Sequence, residues 1–127
     1  MIKIYRQSQG TCSSYRKALK WCEFHQIDYE VCFLNTLTKS ELIQMFHLSE
    51  QIEQLFITKN EEKRQILQDL LEKSFAELVQ VCLEQPNLLK EPILMDERRL
   101  QVGYNAEDIR VFLPREIRRV ELAKGLI

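Results

Sequence analysis

Glycine and proline are scarce, with three of each in 127 residues. No glycine-rich loop of the kind that cradles phosphates can be built from so few. Between Thr38 and Gln85 neither residue occurs, so nothing in that stretch punctuates a helix. Long apolar runs are also missing, and none approaches the ~20 residues that cross a membrane as a helix. The opening Met1-Ile2-Lys3-Ile4-Tyr5 has neither the apolar core nor the small-residue cleavage site of a secretory signal, so the expected compartment is the cytoplasm. The net charge of −1 gives no global pull toward nucleic acid or a membrane surface. No aromatic ladder suits a single-stranded nucleic acid. The four cysteines, Cys12, Cys22, Cys32 and Cys82, are scattered without a C-x-x-C pair, and His25 and His47 stand alone near helix ends. That spacing offers no metal site, and neither a metal nor a cofactor is expected.

What is present is ordinary globular composition, 45% apolar and 29% charged, in a length that suits one domain. Ile2 to Tyr5 alternates as a short strand, and the polar stretch from Arg6 to Cys12 reads as a loop. A helix is expected from about Ser14, with Tyr15, Ala18, Leu19 and Cys22 on its apolar face. Asp28 to Leu34 reads as a second strand carrying Tyr29, Val31 and Phe33 on one face. A strand–helix–strand unit of this kind usually closes with parallel strands.

The middle of the chain is helical in pattern. Thr38-x-x-Glu41 is a capping box, Asn60 can cap the next long helix, and Ser74-x-x-Glu77 is a second box. Pro86 ends the run. Ile93-Leu94-Met95 then reads as a strand, Asp96 to Arg98 as a turn, and Arg99 to Val102 as its hairpin partner. Gly103 permits a bend, and Asn105 is expected to cap a helix holding Ile109 and Phe112 until Pro114. Arg115, Arg118 and Arg119 read as a solvated basic turn. The order β-α-β, helices, β-β-α predicts an α/β domain: a thioredoxin-like mixed sheet over residues 1–37 and 86–127, with a helical insertion at 38–85.

Cys12 is the candidate reactive thiol. It lies at a loop-to-helix junction, where unpaired amides and the helix dipole favour a thiolate, and Arg16 and Lys17 add positive charge one turn on. An inert loop cysteine is an equally good reading of its position. Cys22, Cys32 and Cys82 fall within a helix or strand and read as small core hydrophobes. Glu61-Glu62 and Asp96-Glu97 read as helix-start and turn residues, not as an acid–base pair.

The run from Pro92 to Arg115, PILMDERRLQVGYNAEDIRVFLPR, resembles the C-terminal signature of Spx regulators, and Cys12 to Ala18, CSSYRKA, resembles their N-terminal C-x-x-C-R-K-A motif. The chain is therefore identified as a relative of the Spx/ArsC family over nearly its whole length. The resemblance implies the ArsC/Spx architecture, a thioredoxin-like sheet with a helical insertion. It also implies one of two activities. Spx proteins bind the C-terminal domain of the RNA polymerase α subunit and redirect transcription under thiol stress. ArsC enzymes reduce arsenate with a cysteine nucleophile and three arginines that hold the oxyanion.

Departures from the motifs favour the regulator. The second switch cysteine corresponds to Tyr15, so no disulfide can form between these two positions. Of the three arginines, one position is Glu91, one is Asn60, and Arg99 alone appears kept. A carboxylate ~4 Å from an anion opposes it by about 4 kcal/mol at an effective dielectric of 20, so the oxyanion pocket is expected to be disabled. Where regulators carry glycine at the polymerase contact, this chain has Ile52, whose branched side chain either blocks the partner, makes an altered and more apolar contact, or packs in the core. The expected function is an Spx-like regulator that binds the C-terminal domain of the polymerase α subunit through His47, Glu50 and Ile52, with no membrane association and no direct DNA contact on its own. Cys12 is kept as a one-thiol sensor toward small thiols. The alternative is an arsenate reductase using Cys12, Arg16, Arg99 and an external thiol.

Overall fold

Alternation along β3, Ile93–Met95, organises the two faces of the sheet. Leu94 joins one apolar cluster, with Ile2, Ile4, Ala18, Trp21 and Cys22, while Ile93 and Met95 join the other. Every residue of β3 is buried, as a strand covered on both faces requires. The computed structural model describes residues 1–10 and 12–114. Arg115, Arg118 and Arg119 lie outside them.

The sheet has four strands in the order β2-β1-β3-β4. β1 (Ile2–Arg6) pairs parallel with β2 (Tyr29–Phe33) and antiparallel with β3. β4 (Leu100–Val102) pairs antiparallel with β3 and forms one edge. Helix α1 (Ser13–Phe24) connects β1 to β2 and buries Tyr15, Ala18, Trp21 and Cys22. Leu19 is only half-buried, and Trp21 takes a core place that the expected stripe omitted.

Between β2 and β3 run α2 (Lys39–Leu48), α3 (Glu61–Leu71) and α4 (Phe75–Glu84), with a 3-10 turn at Ile52–Leu55. They cover the second face through Leu42, Phe46, Leu55, Phe56, Leu70 and Val79. Their starts follow the local caps. Thr38 and Glu41 form both halves of a capping box, and Asn60 Oδ1 accepts from the Lys63 amide at 2.8 Å. Ser74 Oγ accepts from the Glu77 amide at 3.2 Å. Asp96 Oδ1 accepts from the amides of Arg98 and Arg99 at 2.8 and 2.7 Å, closing the β3–β4 turn.

Three expectations are corrected. Phe33 alternates to the same side of β2 as Tyr29 and Val31 but is not covered there. It is 42% exposed at the end of an edge strand, whereas Tyr29 and Val31 pack toward α1. Cys32 packs from the opposite face and is only half-buried. The helix expected after Asn105 is a 3-10 turn, Asp108–Phe112. Asn105 Oδ1 caps it by accepting from the amides of Glu107 and Asp108, but Pro114 follows before an α-helical ladder can develop. His25 and His47 do stand at helix ends, at the C-cap of α1 and in the last turn of α2. Among the described residues no helix is long and apolar enough to cross a membrane.

Candidate functional site

Cys12 is the N-cap of α1. Its backbone is extended, with φ −131° and ψ 113°, and its side chain makes no capping bond. Its carbonyl accepts from the Arg16 amide at 3.2 Å, which starts the helix. The loop leading to it is held from inside by Arg6. That guanidinium donates through Nε to the Gln7 carbonyl and through Nη2 to the Gly10 carbonyl, both at 3.1 Å. It also lies over the Tyr15 ring at 4.4 Å and the Phe33 ring at 5.9 Å. Tyr15 thus supplies an aromatic platform for Arg6, the last residue of β1, which braces the loop.

From outside, the loop is tied to the segment that precedes β3. The Gln7 side chain donates to the carbonyls of Pro86 and Leu89 at 3.0 and 3.1 Å. The Glu91–Pro92 bond is cis. The Gln7 amide donates to Glu91 Oε2 at 2.8 Å, and Cys12 Sγ is 3.9 Å from the Glu91 carbonyl oxygen. These two contacts fold Glu91 onto the cysteine loop, with its carboxylate used as an acceptor of a backbone amide. A cation at this position could not accept that bond.

The other site residues separate. Arg16 is exposed. Arg99 leads into β4 and donates its guanidinium to the Val111 carbonyl. It lines an open cleft of about 1110 Å³ together with Lys59, Lys90, Glu91 and Glu50, and neither Cys12 nor Arg16 lines that cleft. Asn60 spends its side chain on capping α3, and the residue before it, Lys59, is the one that reaches the cleft. Lys59, Lys90 and Gln7 carried no sequence signal. Two are ordinary lysines far apart in the chain, and the third is one polar loop residue among several. On the expected partner face, His47 and Glu50 are exposed, while Ile52 is half-buried and packs against the large core cluster.

Burial disfavours the thiolate at three of the four cysteines. Burial pushes Cys82 up to about 11, and burial and then Glu23 push Cys22 up to about 11. Burial and then the Glu30 charge also raise Cys32. Iodoacetamide at neutral pH is expected to modify Cys12 first, and mass mapping after partial labelling checks the order. Glu91→Ala leaves the Gln7 amide without its acceptor. The expected cost is about 1–2 kcal/mol in urea unfolding, with faster labelling of Cys12.

Residues 7–112 match the model of the ArsC family. The chain belongs to the ArsC family. Among its relatives is the global transcriptional regulator Spx of Lactiplantibacillus plantarum, 38% identical, with 98% of this chain and 96% of that protein covered. A Staphylococcus aureus protein solved by NMR superposes with a TM-score of 0.75 at 22% identity, covering 90% of this chain and 100% of that one. The arsenate reductase of Vibrio cholerae superposes with a TM-score of 0.70 at 20% identity, covering 88% of this chain and 97% of that one. At such identities the structural likeness concerns the fold alone: a thioredoxin-like mixed sheet on which an enzyme is also built. Within the ArsC family the sequence likeness runs to proteins named as Spx regulators. Tyr15 and Glu91 both bear on this chain's cysteine loop, the first through Arg6 and the second through the Gln7 amide.

Proposed function

We propose that this ArsC-family chain is an Spx-like regulator of transcription that works in the cytoplasm by binding the C-terminal domain of the RNA polymerase α subunit. The relatives named as global transcriptional regulators, similar over almost the full length, support the regulatory branch. The observation that carries the reading against catalysis is the Glu91 carboxylate bonded to the Gln7 amide. It puts negative charge beside the cysteine loop, where a reductase would need to attract an oxyanion. The proposed contact face is the end of α2 and the following turn, with His47 and Glu50 exposed and Ile52 at its edge. Cys12 serves as a single-thiol sensor: its thiolate attacks a small-molecule disulfide, forming a mixed disulfide and releasing one small thiol, because Tyr15 offers no second sulfur. No cofactor takes part, and DNA is reached through the polymerase partner.

The test is a calorimetric titration of the purified polymerase α C-terminal domain into the full chain, with and without oxidant. Saturable binding is expected, with at least a tenfold loss in Ile52→Arg, where a charge is forced onto a half-buried apolar contact. No binding, together with arsenate turnover that disappears in Cys12→Ser, would reverse the assignment in favour of a reductase.

A further inference from the structure

Among the described residues the outer edge of β4 is unpaired, and its main-chain pattern is one that another extended backbone can complete. The Asp96 amide donates to the Arg99 carbonyl at 3.0 Å, and the Gly103 amide donates to the Pro92 carbonyl at 2.8 Å. In an antiparallel ladder bonded and non-bonded pairs alternate. Leu94 and Gln101 are therefore the bonded pair, and the register sets Leu100 and Val102 opposite Met95 and Ile93 as non-bonded pairs. On β3, Ile93 and Met95 turn their main-chain groups toward Tyr5 and Lys3 of β1. On β4, Leu100 and Val102 turn theirs outward. Among the described residues those outward groups meet one long contact, from Gln101 Nε2 to the Val102 carbonyl at 3.4 Å.

This edge is not bare surface. Leu100 to Gly103 line the cleft of about 1110 Å³, together with Leu48, Gln54 and Ile57 from the α2 side of the chain and Asp108 and Val111 from the last 3-10 turn. Leu100 and Val102 are half-buried and pack their side chains against the large core cluster. We infer that the β4 edge is a strand-addition site for an extended peptide segment of a partner protein, paired to the Leu100 and Val102 main chain within this cleft.

The lining describes the peptide. Leu48, Ile57 and Val111 offer apolar surface beside the edge. Residues of an added strand that face them are apolar and β-prone. The described lining carries three cations, Lys59, Lys90 and Arg99, and three carboxylates, Glu50, Glu91 and Asp108. Such a balance neither steers nor repels strongly, so the segment is of low net charge and its binding depends little on salt. A second copy of this chain fits less well. β4 is three residues long, too short an edge to supply by itself the area that a stable dimer buries. The site adjoins the α2 face proposed for the polymerase contact, since Leu48, Ser49, Glu50 and Gln54 line the cleft, but its main-chain bonds come from β4, which that face does not use.

The probe is a synthetic peptide alternating valine and threonine, titrated into the isotopically labelled full chain and followed by NMR. The Leu100 and Val102 amides are expected to shift and to exchange with solvent at least tenfold more slowly. The same peptide methylated on alternate backbone nitrogens, so that one edge lacks donors, is expected to bind at least tenfold more weakly. Leu100→Pro removes an outward donor while leaving the β3–β4 bonds intact, and is expected to lose the peptide but keep the polymerase domain. The methylated peptide makes the same test on the unaltered protein if that variant does not fold. Unmoved amides, or equal binding of the methylated peptide, overturn the proposal. Concentration-dependent protection of these amides without peptide would assign the edge to a second copy. Peptide binding gained only after deletion of residues 115–127 would assign it to the chain itself, and either result overturns the proposal.

Discussion

Phe56→Ala is expected to lower the unfolding free energy by about 3–5 kcal/mol, a third or more of what a domain of this size commonly has. Phe56 is 2% exposed and stacks on Phe46, with ring centroids 6.3 Å apart. It also sits where the insertion is stitched to the segment leading into β3. Phe56 and Leu89 form an isolated antiparallel bridge. The Ile57 amide donates to the Leu88 carbonyl at 3.0 Å, and the Lys90 amide donates to the Leu55 carbonyl at 2.8 Å. Removing the ring opens a cavity beside Phe46, and the hydrogen bonds that pin the backbone on either side of Phe56 limit collapse onto it. The same change loosens Lys90 and Glu91, which follow the bridge. Urea unfolding measures the loss, and a parallel rise in Cys12 labelling would show that the cysteine loop depends on this stitch. A loss under about 1 kcal/mol would mean that the insertion is not a shared core with the sheet.

Glu41→Ala is expected to cost about 2–4 kcal/mol, because one carboxylate closes two separate local structures. Glu41 Oε1 accepts from the Thr38 amide and hydroxyl at 3.1 and 2.9 Å, completing the cap of α2. Glu41 Oε2 accepts from the Tyr5 hydroxyl at 2.5 Å and lies 3.9 Å from Lys3 Nζ. Tyr5 is fully buried, so losing its acceptor strands a hydroxyl in the core. Tyr5→Phe removes that hydroxyl and keeps the ring. In the double variant the costs are expected to sum to less than the two single losses.

The pH dependence follows from the same contact. Burial by itself would raise the Glu41 carboxyl, but the Tyr5 hydroxyl, the Thr38 amide and hydroxyl, and Lys3 outweigh it and hold the group below its ordinary value. A carboxyl that ionises more readily in the folded chain contributes stability above its unfolded value of about 4.3 and loses it as pH falls through the folded value. The wild type is therefore expected to lose stability more steeply than Glu41→Ala below about pH 5. Tyr5 is shifted the other way, upward, by burial and then by the Glu41 bond. Its contribution is present at neutral pH and falls as pH rises past about 10, where the unfolded tyrosine ionises. Thermal melts across pH, in the wild type and both variants, check both limbs.

The helix starts were legible in the chain because a cap is a contact between residues three apart. Thr38 with Glu41 and Asn60 with Lys63 need nothing from elsewhere. The Ser74 site shows the limit of the motif. Its hydroxyl does accept from the Glu77 amide, but the returning bond from the Glu77 side chain is not formed, and Glu77 is exposed. Phe33 misled because alternation says which way a side chain points and not whether another element lies there. The site was legible only as a set of positions. That Cys12 and Glu91 come together followed from the family resemblance. The bond from the Gln7 amide, the Arg6 clamp on Tyr15, and the gathering of Lys59 and Lys90 beside Arg99 did not.

The amino-acid sequence by itself determined where the helices and strands begin and the ArsC-family architecture, since these depend on local periodicity, caps and long matching motifs. Tertiary structure alone decided which charges share a cleft, which acceptor Glu91 serves and which strand edge stays open among the described residues. The first two join Lys59 with Lys90 and Arg99 across 31 and 40 places and Gln7 with Glu91 across 84, and no local pattern encodes where a chain folded over such distances places its side chains.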